Sequence, residues 1–319
     1  MSELAAPVAV VIGSSGFLGR ALVDELCSRG RSVVACDRKR PDHGEHDNVR
    51  PVIIDITDRA SLDAVVDGAD EVYHLAGQLG TSELDDQLHQ SITTNIIGSL
   101  NVFEAAIAQH VPRVFFASKV HIWLNAYTIT KHAAEQIGRL LSQQHPTRIC
   151  SLRYLNLFGP AQKLYPVRKV LPTFAIQAMR GLPIQVFGDG EQLIDMLYVG
   201  DAARITVDFL DVGFVDHAVD CGSGVAMSVN ELAERTNAYF GNMAGIQHVP
   251  MRKGEVRTTR QAVAEPHTLE KLLGPTQLTD WDVAFGTTLA WYGALDSHTV
   301  DAALSFHGLA HPFDGTWSP

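Results

Sequence analysis

The sequence predicts an α/β protein built on a doubly wound parallel sheet of the dinucleotide-binding type, with a smaller α/β substrate-binding part toward the C-terminus. Three observations predict it. Short, continuously apolar, β-branched runs such as Val8-Ala9-Val10-Val11-Ile12 alternate with segments of helical periodicity, as buried parallel strands and their crossover helices do. A glycine-rich stretch, Gly13-Ser14-Ser15-Gly16-Phe17-Leu18-Gly19, sits at the first strand-to-helix junction. The next strand-like runs end in residues suited to meeting a ligand: Asp37, Asp55 and Ala76-Gly77.

After the first strand, Ala21, Leu22 and Leu26 recur at helical spacing until Gly30 closes the helix. Strands are expected over Ser32–Cys36, Pro51–Ile54 and Glu71–Leu75, a helix over Asn95–Gln109, and a fifth strand over Arg113–Ala117. A helix over Tyr127–Gln144 and a sixth strand over Arg148–Tyr154 complete the alternation, which implies parallel winding. Beyond Phe158 the pattern loosens. Helices are read over Val170–Arg180 and Asp201–Leu210, strands over Ile184–Phe187 and His217–Cys221, and a helix over Val229–Phe240 with Ser228 and Glu231 as a capping box. The expected division is a dinucleotide-binding part, 1–157, that also receives about 197–222. The substrate part takes 158–196 and 223–296, and 297–319 reads as an irregular surface tail.

Composition excludes several classes. At 319 residues, 46% hydrophobic and 19% charged, the chain reads as an ordinary globular protein. A formal charge of −11 argues against nucleic acid or an anionic membrane as partner, so an anionic ligand must be held by local donors. The start, Met1 to Pro7, lacks a signal-peptide pattern, and a cytoplasmic location is expected. Cys27, Cys36, Cys150 and Cys221 form no metal or redox pair in sequence, and the 14 histidines show no H-E-x-x-H pattern, so no metal site is assigned.

Glycines at 13, 16 and 19 permit a tight turn, close approach of backbone to a diphosphate, and close helix–strand packing. Gly13, Ser15, Gly16, Phe17, Leu18 and Gly19 are therefore candidate cofactor contacts. Asp37 lies 18 residues beyond Gly19, where a carboxylate can accept from the adenosine ribose hydroxyls. Its charge would repel a 2′-phosphate, which favours NAD over NADP. Arg38, Lys39 and Arg40 pull the other way, and Arg38 joins the cofactor set.

Tyr127 and Lys131 stand four residues apart inside a helical pattern, so both share one face. A tyrosine acting as a base near neutral pH needs about 4 kcal/mol of stabilisation of its phenolate, part of which a neighbouring ammonium can supply.

The glycine loop, Asp37, Asp55, His74-Leu75-Ala76-Gly77, Asn95, Tyr127-x-x-x-Lys131 and Leu152 through Pro160 occur in an order that resembles the extended short-chain dehydrogenase/reductases, specifically the NAD-dependent epimerase/dehydratase family acting on nucleotide sugars. The likeness continues through Val186-Phe187-Gly188-Asp189-Gly190, Tyr198-Val199-Gly200-Asp201 and Arg252 to Arg257, and covers about 7–293. It implies that Asp55 and Ile56 meet the adenine, and that Leu75, Ala76, Gly77, Asn95 and Tyr154 line the cofactor channel. It further implies that Lys131 bridges the nicotinamide ribose while Tyr127 exchanges a proton with a substrate hydroxyl. Gln78, His121, Asn156, Phe187, Arg252 and Glu255 would meet the substrate. A homodimer through the helices at 95–109 and 127–144 is implied as well.

Three departures stand out. Where the family carries a serine or threonine after the fifth strand, this chain has Lys119, with Ser118 one residue early; both are candidate donors to the reacting oxygen. The segment from Ala117 to Ala126 is short and contains no Asp or Glu, which disfavours dehydration and decarboxylation unless His121 acts as acid or base. Ile194 stands where relatives carry an arginine for the diphosphate, with Arg168, Lys169, Arg252 and Arg257 as possible substitutes. The expected function is NAD-dependent epimerisation or oxidation of a secondary hydroxyl on a sugar, chiefly a nucleotide sugar. A reductase or dehydrogenase of a non-nucleotide alcohol or ketone, or a non-catalytic dinucleotide sensor, are the alternatives.

Overall fold

The computed structural model describes residues 6–44, 46–80, 83–120, 124–213, 215–251 and 262–309. The chain divides into two compact units. The first takes 1–155, 199–222 and 265–277; the second takes 156–198, 223–264 and 278–319.

In the first unit seven strands form one sheet in the order Val219–Cys221, Arg148–Tyr154, Arg113–Lys119, Glu71–His74, Val8–Ile12, Ser32–Asp37, Val49–Ile53. Every pairing is parallel. The winding reverses between Val8–Ile12 and Glu71–His74, and in such sheets ligands bind beyond the carboxyl ends of the strands at that reversal. Val10, Ile12, Val72, Val114, Phe103 and Phe116 belong to one buried cluster beneath the helices of one face.

The amino ends of the strands are fastened by charge. Glu71 is fully buried and takes Arg113 at 2.9 Å and Arg31 at 3.3 Å. Asp211, at the end of the Val199–Asp211 helix, pairs with Arg31 at 3.0 Å and Arg113 at 3.2 Å, while Asp208 takes Arg29 at 2.7 Å. Burial raises the Glu71 carboxyl above its usual range, with the two guanidiniums opposing that rise.

The second unit carries three two-stranded pairings. Asn156–Phe158 lies parallel to Met196–Tyr198, Ile184–Phe187 parallel to Ile246–Val249, and Leu193–Ile194 antiparallel to Met227–Ser228. Its core gathers Phe174, Ile184, Leu232, Leu289, Tyr292 and Val300.

Several sequence expectations need correction. Residues 265–277, assigned to the substrate part, belong to the first unit. The tail is not irregular throughout: Ser297–Phe306 is a helix whose start is capped by Asp296, accepting from Thr299 N at 2.8 Å. The expected helix at 95–109 starts instead as a π-helical turn over Thr93–Ile97, followed by an α-helix over Gly98–Ala108. Such turns are concentrated at functional sites. A helix over Arg59–Val66, which periodicity alone did not mark, is capped by Asp58.

Candidate active site

The glycine loop leaves the first strand and turns back hard against the second. Gly13 N and Ser14 N both donate to Cys36 O, at 2.8 and 3.0 Å. Gly13 has a φ of +95°, and a Cβ there would stand 2.7 Å from Ala76 N. At Gly19 a Cβ would meet Gly13 O at 2.2 Å, so the helix Phe17–Ser28 can approach the strand only with glycine. Gly16 caps that helix without a side-chain bond, leaving first-turn N–H groups directed outward. Phe17 and Leu18 form its first, half-buried turn.

Asp37 ends the second strand as expected, and its carboxylate accepts from Ser15 N at 3.0 Å and from Arg38 N at 2.7 Å. Asp55 accepts from Thr57 N and Oγ1, at 2.9 and 2.8 Å; the backbone bond first, with the hydroxyl assisting, holds its carboxyl below the usual range. Ile56 is buried, and Gly98 lies so close that a Cβ there would come within 2.6 Å of Ile56 Cδ1.

Beyond the fourth strand, Leu75 N and Ala76 N donate to Ile12 O, at 2.8 and 2.9 Å. Asn95, only 1% exposed, locks the following backbone: its Oδ1 accepts from Gln78 N at 2.7 Å, while its Nδ2 donates to Gln78 O and to Thr130 Oγ1, at 3.1 and 3.0 Å. Gly77 faces that amide, with a hypothetical Cβ 3.1 Å from Asn95 Oδ1. The π-helical turn thus binds the fourth-strand loop to the helix that carries Tyr127.

That helix, Ala126–Gln144, is capped by Asn125 Oδ1, which accepts from Thr128 N at 2.8 Å. Tyr127 is its second residue, and burial pushes the phenol well above its ordinary range. Lys131, 3% exposed, holds its ammonium 3.9 Å from the centre of the Phe116 ring. Desolvation brings it down to about 7, against the opposing pull of Glu135. Phe116 in turn packs on His74, and His74 Nε2 lies 2.9 Å from Ser99 Oγ. Ser99 donates to Asn95 O at 2.7 Å, so the imidazole is the donor in its own bond. Burial first, and Lys131 second, keep that imidazole neutral by lowering its pKa far below the usual value.

Ser118 is not poised for a substrate. Its hydroxyl donates to Glu135 Oε2 at 2.6 Å, and Arg153 closes on the same carboxylate at 2.9 and 2.7 Å. A serine has one proton to give, and this one is held in a buried ion pair joining the helix to the fifth and sixth strands. The expectation that Ser118 donates to a reacting oxygen is corrected on that ground. Lys119 is the last, half-buried residue of the fifth strand, in register with Tyr154. The Tyr154 hydroxyl is engaged with Thr206 Oγ1 and its ring packs on Phe115.

In the second unit, Asn156 N and Nδ2 both donate to Asp195 O, each at 3.2 Å. The Asp195 carboxylate is fully buried and accepts from Ser223 N and Oγ, Gly224 N and Ala264 N, at 2.6, 2.7, 2.9 and 3.1 Å. Ile194 packs against the core of this unit. Phe187 carries the Arg168 guanidinium over its ring, 4.7 Å from the centroid. His121, Arg252, Glu255 and Arg257 lie outside the described residues.

Residues 9–222 match the model of the NAD dependent epimerase/dehydratase family. The chain belongs to that family. A UDP-N-acetyl-alpha-D-glucosaminuronate decarboxylase of Bacillus cytotoxicus is 27% identical to this epimerase/dehydratase-family chain, over 90% of it and 98% of the relative. A putative UDP-glucose 4-epimerase of Methanocaldococcus jannaschii is 25% identical, over 77% and 87% of the two chains. Among solved structures, the epimerase Mth375 of Methanothermobacter thermautotrophicus shares the fold with a TM-score of 0.84 at 24% identity, covering 90% of this chain and 92% of that one.

The rim of this family member fits the cofactor for which the family is described. Ser15 Oγ is buried without a hydrogen-bond partner beside the uncapped helix start, and the cradle at Gly13 and Gly19 would be filled by any side chain. Those are the features a diphosphate needs. Glu135 and Arg153 were not singled out in the sequence. The one available signal was Glu135 continuing the Tyr127–Lys131 face by one more turn.

Proposed function

We propose that this chain is an NAD-dependent enzyme that epimerises or oxidises a secondary hydroxyl of a nucleotide sugar. The observation that carries the reading is Tyr127 and Lys131, one helical turn apart, on a helix that begins at the same strand ends as the glycine loop and Asp37. When bound, NAD supplies the hydride acceptor and donor. The chain's own residues do the rest. Tyr127 Oη takes the hydroxyl proton and returns it, and Lys131 supports the phenolate by charge. Asn95 keeps the loop of Gln78 in place, and Asp37 receives the ribose hydroxyls. Lys119, which stands where the family carries its hydroxyl donor, is assigned as the donor to the reacting oxygen. The absence of any Asp or Glu between Ala117 and Ala126 favours epimerisation or oxidation over the decarboxylation named for one relative.

The test is to incubate the purified chain with NAD and a panel of UDP- and dTDP-hexoses and follow the sugars by NMR. Interconversion of epimers, with NAD bound more tightly than NADP in calorimetric titration, is the expected result. Turnover confined to simple alcohols or ketones would overturn the reading. No helix among the described residues is long and apolar enough to cross a membrane. The four cysteines are free, which suits the reducing cytoplasm in which we place the protein.

A homodimer is part of the proposal. Ile129 and Leu140 stand three turns apart on one face of Ala126–Gln144, 51% and 52% exposed, and Ile97 on the neighbouring helical stretch is 46% exposed. Light scattering is expected to give about twice the 34.7 kDa of one chain, and Ile129→Glu is expected to give the single chain. A wild-type monomer at micromolar concentration would refute the dimer.

A further inference from the structure

One buried side chain of the first unit is polar where packing alone asks only for an apolar ring. His74 ends the strand Glu71–His74, is fully buried, and packs on Phe116 and Phe103, with ring centres 5.4 and 6.0 Å away. A phenylalanine would make those contacts without taking ring nitrogens out of water. Nδ1 has no hydrogen-bond partner, so that cost is not fully offset. What the imidazole adds is the bond from Nε2 to Ser99 Oγ.

That bond is the first of a directed series. Burial keeps the ring neutral, and Ser99 gives its own proton to Asn95 O, so the single imidazole proton is on Nε2. Asn95 continues the series from its side chain: Nδ2 donates to Thr130 Oγ1 at 3.0 Å, and Thr130 Oγ1 in turn lies 2.8 Å from Ala126 O and 3.1 Å from Tyr127 O, to which it donates. Ser99, Asn95 and Thr130 are each 1% exposed, so every bond in the series is shielded from solvent. The series runs from the fourth strand of the chain, through the π-helical turn Thr93–Ile97 and the helix Gly98–Ala108, to the first turn of the helix that carries Tyr127. A branch at Asn95 holds Gln78 by its N–H and its carbonyl.

We propose that His74 is a positioning residue of the cofactor site: the donor at its Nε2, acting through Ser99, fixes the π-helical turn at Asn95 and so sets both the Gln78 loop and the turn that carries Tyr127. The assignment rests on the NAD site described above, and its effect on turnover rests on the nucleotide-sugar reading.

Two substitutions separate the donor from the ring. Phenylalanine keeps the packing and deletes the donor, whereas glutamine carries its amide nitrogen as many bonds from Cα as the imidazole carries Nε2 and can donate in its place. In calorimetric titration of the full chain with NAD, His74→Phe is expected to bind at least about fivefold more weakly than wild type, and His74→Gln to return to within about twofold of it. Ser99→Ala is expected to fall as His74→Phe does, and the double variant H74F/S99A to be no weaker than the weaker single variant by more than about twofold, because both act through one series. In turnover of a nucleotide sugar, His74→Phe should lower kcat about tenfold and leave KM for the sugar within about twofold, since the series ends at the backbone of Tyr127. Thermal unfolding shows which variants fold, and should His74→Phe not fold, Ser99→Ala decides by the same fivefold threshold. A ring that serves packing alone predicts the reverse order, with His74→Phe harmless and His74→Gln damaging, and that order would overturn the assignment. If wild type turns over no nucleotide sugar, that reading falls and the order of NAD affinities still decides this one.

Discussion

Tyr127→Phe is expected to lower kcat by about a hundredfold or more while leaving NAD affinity within about twofold. The substitution deletes one oxygen and keeps the ring. That ring sits on the second residue of a helix whose start is fixed by the Asn125 cap, so the scaffold has no reason to move. Burial raises the phenol above its ordinary range and brings Lys131 down to about 7, with Glu135 opposing. A positive charge must arrive beside the phenol before it can act as a base, and Lys131 provides that charge most fully below about pH 7. Lys131→Met is accordingly expected to damage both turnover and cofactor binding. Steady-state kinetics and calorimetry check both variants. Tyr127→Phe with full activity would mean that another group carries the proton.

Gly19→Ala is expected to cost at least about tenfold in NAD affinity and about 1–3 kcal/mol in stability. The added methyl would stand 2.2 Å from Gly13 O and 2.9 Å from Ser14 Cα, and both neighbours are backbone. Backbone cannot rotate away as a side chain tip can, so the helix must back off the strand and the cradle must open. Gly286→Ala is the control: it lies mid-helix in Trp281–Gly293 with nothing within 4 Å of its Cβ, and should be neutral or stabilising by up to about 1 kcal/mol. Thermal unfolding and NAD titration of the two variants read the difference. Wild-type NAD affinity in Gly19→Ala would refute the close-approach reading of this loop.

The sheet was legible because its strands are short β-branched runs and its crossovers are periodic. The Arg148–Tyr154 strand was read to the residue, and the box of Ser228 with Glu231 appears as a cap in which Ser228 Oγ accepts from Glu231 N at 3.0 Å. The glycine spacing and Asp37 were legible because turn geometry and a strand-end carboxylate are local properties. What escaped is non-local. Ser118 lies 17 residues from Glu135, and Phe187 lies 19 from Arg168, so no window of periodicity joins them. The helix Trp281–Gly293 is apolar around much of its circumference and gives no amphipathic stripe to read. The switch of 265–277 into the first unit is likewise a matter of tertiary choice.

The ion pairs at the amino ends of the strands bear on how the chain is made. Arg29, Arg31 and Arg113 leave the ribosome early, whereas Asp208 and Asp211 follow only after the chain has passed through 156–198 of the other unit. Until then the Arg148–Tyr154 strand also lacks its neighbour Val219–Cys221 and presents a bare sheet edge, the kind of surface on which nascent chains associate wrongly. The first unit therefore closes late in synthesis, and a ribosome that stalls between residues 156 and 198 releases a sheet with an open flank whose Arg29, Arg31 and Arg113 have Glu25 and Glu71 but not yet the two aspartates.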